Sequence, residues 1–286
     1  MLECKFWWQL LLVLVFSNAI IGADVYAQDR SEAELINFAF SNYLGTGFYS
    51  SGGGEVFILK IPMYSTLKPM TDSEPGWVVN YPVTLGTANI EEIIGGEFPN
   101  LDDVGTVSLV PGIEYLYPVS PDWQLIPFFD LGIARDVIND NSIGILGAGV
   151  KSFVNFDFGE RWLTLGNRFL YAVQESFDEG THSNFSVFET GLDYNIPTGL
   201  TFGGSVVSVS FYYINYYYLE DLVLVDFLDA RIFLENKNEV GVTVSLPKYL
   251  GLTEHFLLPD NPRIGLGVQF VGDARLYRLV FGVPFF

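Results

Sequence analysis

The feature that most constrains this chain is a two-residue alternation of apolar and polar side chains that recurs along most of its length and places charges on the polar side. Residues 77 to 85 set Trp77, Val79, Tyr81, Val83 and Leu85 against Asn80, Pro82 and Thr84. Residues 240 to 246 set Val240, Val242, Val244 and Leu246 against Gly241, Thr243 and Ser245; residues 263 to 270 set Ile264, Leu266, Val268 and Phe270 against Arg263, Gly265, Gly267 and Gln269. Successive side chains of a strand point to opposite faces, so each run predicts a strand with one apolar face. Weaker alternation near 55 to 64, 104 to 117, 123 to 135, 143 to 156, 161 to 174, 185 to 196, 200 to 214, 222 to 235 and 275 to 285 brings the expectation to about twelve strands. Turn residues separate them, as at Ser120-Pro121-Asp122, Pro197-Thr198-Gly199 and Asn236-Lys237-Asn238. The uncharged stretch from Tyr194 to Leu219 is long enough for a spanning helix, but Pro197, Gly203-Gly204 and its Val, Ser and Tyr residues favour a strand pair.

Alternation alone does not say which face meets water. In a soluble sandwich the apolar parity turns inward; in a transmembrane barrel it meets lipid and the interior is polar. Three features favour the membrane barrel. Several runs reach ten residues or more, the length a tilted strand needs to cross a bilayer. The polar parity carries Lys151, Arg168, Glu189, Asp193, Asp229 and Arg231 among Gly, Ser and Thr. Aromatic residues such as Trp77, Tyr115, Tyr117, Trp123 and Trp162 gather near strand ends, where an interfacial girdle would lie. The expected fold is therefore all-β, a transmembrane antiparallel barrel of about 12 strands with a short N-terminal helix.

Composition removes other classes. With 14 Lys and Arg against 34 Asp and Glu, the net charge of -20 would be repelled by a phosphate backbone, so no nucleic-acid partner is expected. An aromatic content of 16% excludes a largely disordered acidic chain.

Residues 1 to 27 read as a secretory signal peptide: Lys5, an apolar run from Leu10 to Phe16, then Val25-Tyr26-Ala27 at the expected cleavage point. Cys4, the single cysteine, would leave with it, so neither disulfides nor a cysteine nucleophile are expected in the exported chain. Residues 28–45 form the next segment. There Ser31-x-x-Glu34 is a capping box, and Leu35, Ile36, Ala39, Phe40 and Tyr43 recur at helical spacing before Gly45, which predicts a helix from Ser31 to about Tyr43. Residues 46–286 show no linker and read as a single barrel domain.

An exported chain of β-strands that ends on Phe285-Phe286 resembles bacterial outer-membrane barrel proteins, whose last strand closes the barrel and carries an aromatic terminus. About twelve strands behind a short helix is most similar to the translocator barrel of autotransporters, here without a passenger domain. The resemblance implies a non-enzymatic protein of the cell outer membrane, with membrane lipid and the barrel-assembly machinery as partners and no cofactor. On apolar parity Phe285 falls with Tyr277, Leu279, Phe281 and Val283, while Phe286 falls on the other side. Counting back from a periplasmic C-terminus places the short turn Gly272-Asp273 outside the cell, although short turns are usually periplasmic.

Few residues suggest chemistry. Thr181-His182-Ser183-Asn184, with Asp178, Glu179 and Glu189 nearby, contains the parts of a hydrolase such as an outer-membrane lipid A deacylase, which is the alternative reading. Adjacent His182 and Ser183 point to opposite faces of an extended segment, which argues against it. His255 and the group Asp136, Asn139, Asp140 and Asn141 are weak metal candidates, and no metal site is expected. The expected interior set is Lys151, Arg168, Glu189, Asp193, Arg231 and Arg263, with Lys60, Glu114 and Asp130. Such charges either pair to stiffen a closed barrel or line a small-solute channel; the narrowness of a twelve-stranded barrel favours pairing.

Overall fold

The computed structural model describes residues 35–37, 41–51, 54–87, 104–137, 140–178, 182–202, 205–219, 222–225, 231–234, 236–245, 263–271 and 274–285. In chain order these form β1 (Leu35–Asn37), the one-turn helix α1 (Ser41–Leu44), β2 (Gly47–Ser51), β3 (Gly54–Ile61), β4 (Tyr64–Lys68), β5 (Gly76–Asn80) and β6 (Val83–Thr87). Then come β7 (Val104–Leu109), β8 (Gly112–Ser120), β9 (Trp123–Asp136), β10 (Asn141–Phe158), β11 (Arg161–Ser176) and β12 (His182–Phe202). The last are β13 (Ser205–Tyr218), β14 (Leu222–Val225), β15 (Arg231–Leu234), β16 (Lys237–Ser245), β17 (Arg263–Val271) and β18 (Ala274–Phe281).

Twelve of these strands close into an antiparallel barrel: β2, β3, β6, β7, β9, β10, β11, β12, β13, β16, β17 and β18, which returns to β2 through Tyr277 opposite Phe48. Strands neighbouring in sequence pair throughout the ring, so no crossover is needed and every edge in it is paired. Among the described residues, no helix is long and apolar enough to cross a membrane.

Prolines interrupt three adjacent strands at one level. Pro62 separates β3 from β4, Pro82 separates β6 from β5, and Pro111 separates β7 from β8, because proline donates no ladder hydrogen bond. Backbone bonds from Tyr81 to Met63 (2.7 Å) and from Leu131 to Pro111 (2.9 Å) carry the sheet across this crease. β9 is long enough to pair with β7 through one half and β8 through the other. The expected single strand over 77 to 85 is therefore two, broken at Pro82.

The agreement on twelve strands conceals two compensating differences. β2 was not anticipated, and the run near 222 to 235 does not enter the wall. It forms the β14–β15 hairpin, with β1 added in parallel to β14 as a separate three-stranded sheet. In this sheet β1 lies beside β12 and β15 beside β2. Those wall strands are five places apart on the ring, so the small sheet lies across the barrel mouth at the end opposite the C-terminal residues. The predicted helix is corrected as well. Leu35–Asn37 is a strand, the helix among the described residues is Ser41–Leu44, and residues 31–34 and 38–40 lie outside the described residues. A helix of about thirteen residues is marginal alone, and pairing with β14 offers Leu35–Asn37 a competing set of backbone bonds.

From the mouth, α1 enters the barrel, where Ser41 and Asn42 are buried and Thr84 Oγ1 donates to Asn42 Oδ1 at 3.0 Å. The phenol of Tyr49 donates to the Leu44 carbonyl at 2.5 Å, satisfying one of the acceptors left at a helix end. The other end of the barrel is closed by the chain's last described residues. β18 stops at Phe281, and Gly282 takes a φ of 88°, which turns the chain off the ladder. Phe285, expected on the outer face, is instead buried inside at 4% exposure. Its ring lies over two glycines of the opposite wall; a Cβ at Gly166 would come within 2.9 Å of it and one at Gly191 within 2.4 Å.

Candidate functional site: the charged interior

The wall places its buried charges on one face and exposed apolar side chains on the other. Along β9, Phe128, Asp130 and Ala134 are buried while Phe129, Leu131 and Ile133 are exposed, the last two at 58% and 62%. Along β16, Lys237, Glu239 and Thr243 are buried while Val240, Val242 and Val244 are exposed. The charged residues face inward, where they share the interior with a buried apolar cluster that includes Ile58, Ile143, Ile145, Leu170, Val187 and Ile214, while the outward parity is largely apolar and exposed, an arrangement unlike the polar surface of a water-soluble fold.

Most of the interior charges are met by a partner from another element. Arg168 on β11 and Glu189 on β12 are register partners and form an ion pair. Lys151 is the register partner of Arg168 on the other side but turns away from it to Glu114 at 2.8 Å, and lies 5.1 Å from the centre of the Phe128 ring. Asn80 also donates to Glu114, at 3.0 Å. Asp130 accepts from the phenol of Tyr43 on α1, at the long limit of 3.5 Å. Arg263 on β17 reaches Asp193 on β12 at 2.6 Å and Ser210 at 3.1 Å. Lys60 sits beside α1, its backbone N–H donating to Thr46 Oγ1 at 2.9 Å.

Lys151, Arg168, Glu189, Asp193 and Arg263 thus lie on the inward face, with Glu114 and Asp130. Arg231 is not on a wall strand: it begins β15, in the three-stranded sheet. The run Arg231–Leu234, one charge followed by three apolar residues, suits a strand in either place, and local pattern holds no information on which sheet it joins.

The densest polar cluster escaped the sequence reading. Glu239 is fully buried and accepts four hydrogen bonds: from Tyr212 at 2.7 Å, Tyr216 at 2.8 Å, Gln269 at 2.8 Å and Arg278 at 3.0 Å. Arg278 also donates to the Pro284 carbonyl at 2.8 Å, which ties the tail carrying Phe285 to this cluster. Lys237 donates to Gln269 at 3.1 Å and rests 4.4 Å from the centre of the Tyr216 ring, a cation held by an aromatic face and an amide. Extending the parity of Val240, Val242 and Val244 two residues upstream would have placed Lys237 and Glu239 inside; the turn residues Asn236 and Asn238 obscured it.

His182 is exposed on β12 and Ser183 is buried on the opposite face, so the two share no site. Asp140 is exposed and pairs with Arg135. His255, Asn139, Glu179 and Thr181 lie outside the described residues. Among the described residues, no three His, Cys, Asp or Glu side chains are placed to hold a metal ion. No family model matches the chain, and no curated protein is similar to it.

Proposed function

We propose that this chain is a non-enzymatic β-barrel of the bacterial outer membrane, exported by residues 1 to 27, seated in lipid by its aliphatic outer face and kept closed by its own chain. The observation that carries this reading is the inverted polarity of a complete ring. A continuous outer belt including Leu131, Ile133, Val242 and Leu266 surrounds an interior of buried ion pairs. An apolar surface extending right around a protein needs an apolar solvent. Trp77, Tyr115, Tyr117 and Trp123, clustered on neighbouring strands toward one end, suit the lipid headgroup level. Lipid and the barrel-assembly machinery are the partners this reading requires.

In layout the barrel is similar to an autotransporter translocator: twelve wall strands, with the segment ahead of the first passing from the far mouth through the interior to the start of β2. The small sheet across one mouth and Phe285 near the other argue against a permanently open channel. The opposed side chains of His182 and Ser183 argue against a hydrolase.

Nitroxide labels at Leu131, Val242 and Leu266 in reconstituted protein should be relaxed by oxygen and shielded from aqueous nickel chelates; water contact at these sites would refute the membrane placement. Removing residues 35–44 should raise single-channel conductance while the barrel keeps its heat-modifiable mobility on gels. Unchanged conductance would mean that this segment does not close the interior.

A further inference from the structure

The outer face carries one feature that does not suit lipid. Ser152 on β10, Asn167 on β11, Thr190 on β12, Asn215 on β13 and Asn238 on β16 are successive register partners, so they form an unbroken polar row across five neighbouring strands. All five share parity with exposed residues of the outer face, namely Val150, Phe169, Leu192, Tyr213 and Val240. Register partners align across the strands, and barrel strands are tilted, so the row slants through the apolar belt. Asn238 lies beside the far rim at the start of β16, whereas Ser152 lies well down β10.

The row binds itself in part. Trp123 Nε1 donates to Ser152 at 3.0 Å, Thr190 to Asn167 Oδ1 at 3.0 Å, and Asn215 Nδ2 to Asn238 Oδ1 at 2.9 Å, with Tyr213 donating to the same oxygen at 2.6 Å. These bonds use the side-chain oxygens of Asn167 and Asn238. The N–H groups of those carboxamides and the Asn215 oxygen have no protein partner among the described residues. Such groups facing hydrocarbon are costly unless another molecule meets them.

We propose that this row is the surface through which two copies of the chain pair side by side in the membrane, an inference that rests on the membrane reading above. The chemistry of the row selects the occupant. It contains no Lys, Arg, Asp or Glu, so it offers no counter-charge to a lipid phosphate or to a charged protein segment. It presents amide donors and acceptors together, which makes it complementary to itself, as a two-fold contact requires. About an axis along the membrane normal, Thr190 lies closest to its equivalent, with the carboxamides of Asn167 and Asn215 flanking it. Exposed Phe169, Leu192 and Tyr213 supply the surrounding packing.

The test uses full-length protein carrying Cys4→Ser, with single cysteines introduced at Thr190, the position nearest the axis, or, as a control on the opposite wall, at Leu59. In native membranes, mild oxidation of Thr190→Cys should give a disulfide-linked species of twice the monomer mass, and Leu59→Cys should stay monomeric. In reconstituted protein, combining Asn167→Leu with Thr190→Val should weaken self-association roughly tenfold, judged from hydrogen-bond contributions within membranes, with heat-modifiable folding retained. A monomer in both settings would overturn the inference, as would equal cross-linking at Leu59, a cross-link to a different protein, or a monomer that retains bound lipid in native mass spectra. Lipid exposure of the Leu131, Val242 and Leu266 labels combined with no cross-link at Thr190 would refute the pairing alone and leave the membrane reading intact.

Discussion

Replacing Glu239 with Gln should be among the most damaging near-isosteric changes in this protein. The carboxylate accepts four hydrogen bonds, one at Oε1 from Tyr212 and three at Oε2 from Tyr216, Gln269 and Arg278. A carboxamide has one acceptor oxygen with two lone pairs. Placed where Oε2 now lies, that oxygen keeps at most two of the three donors. The amide nitrogen would then face the Tyr212 hydroxyl, which can rotate to accept. One hydrogen bond is lost, and so is the only carboxylate that Arg278 reaches among the described residues. Lys237 is close by, bonded to Gln269 and resting on Tyr216, so two cations would remain without that counter-charge. Removing one member of a buried pair costs about 3–5 kcal/mol, and the second cation points to the upper part of that range. Urea unfolding of reconstituted protein, followed by tryptophan fluorescence, should show a loss of that size, with the heat-modifiable gel band as an independent check. Adding Arg278→Met should recover at least about half of it, since removing both charges leaves no unpaired ion. A loss below about 1 kcal/mol, or a double variant equal to the sum of the singles, would refute the claim that this pair holds the cluster together.

Phe285→Ala should cost about 3–5 kcal/mol, the range for deleting a buried ring, and should raise small-ion leakage in planar bilayers, because the ring fills the space over Gly166 and Gly191. Unaltered stability would place the ring outside the barrel. Leu131→Arg should destabilise the inserted barrel by about 2–4 kcal/mol, whereas arginine is native two turns of the pleat further on, at Arg135 near the rim; equal tolerance at position 131 would argue against a lipid-facing belt. His182→Ala should leave any lipid or peptide hydrolysis by the purified protein unchanged; loss of turnover in a folded barrel would promote the hydrolase alternative.

What was legible in the sequence was whatever depends on the pleat. Period two assigned Asp130, Lys151, Arg168, Glu189, Asp193 and Arg263 to one face and Val242, Val244 and Leu266 to the other, because a strand alternates its side chains wherever it lies. The number and order of wall strands were nearly legible too, since a meander needs only turn residues between runs. What the sequence withheld depends on which surfaces meet. Leu222–Val225 and Arg231–Leu234 read as short apolar runs that could serve as strands anywhere, and only the closed ring shows that they lie across its mouth with β1. Phe285 continues the outward parity of Leu279 and Phe281, yet one positive φ at Gly282 and the space over Gly166 and Gly191 carry it inside. Glu239 and Arg278 stand 39 positions apart, and Arg263 and Asp193 stand 70 apart. Parity assigns each charge a face, but tilt, register and closure decide which of them touch, and those are properties of the whole barrel.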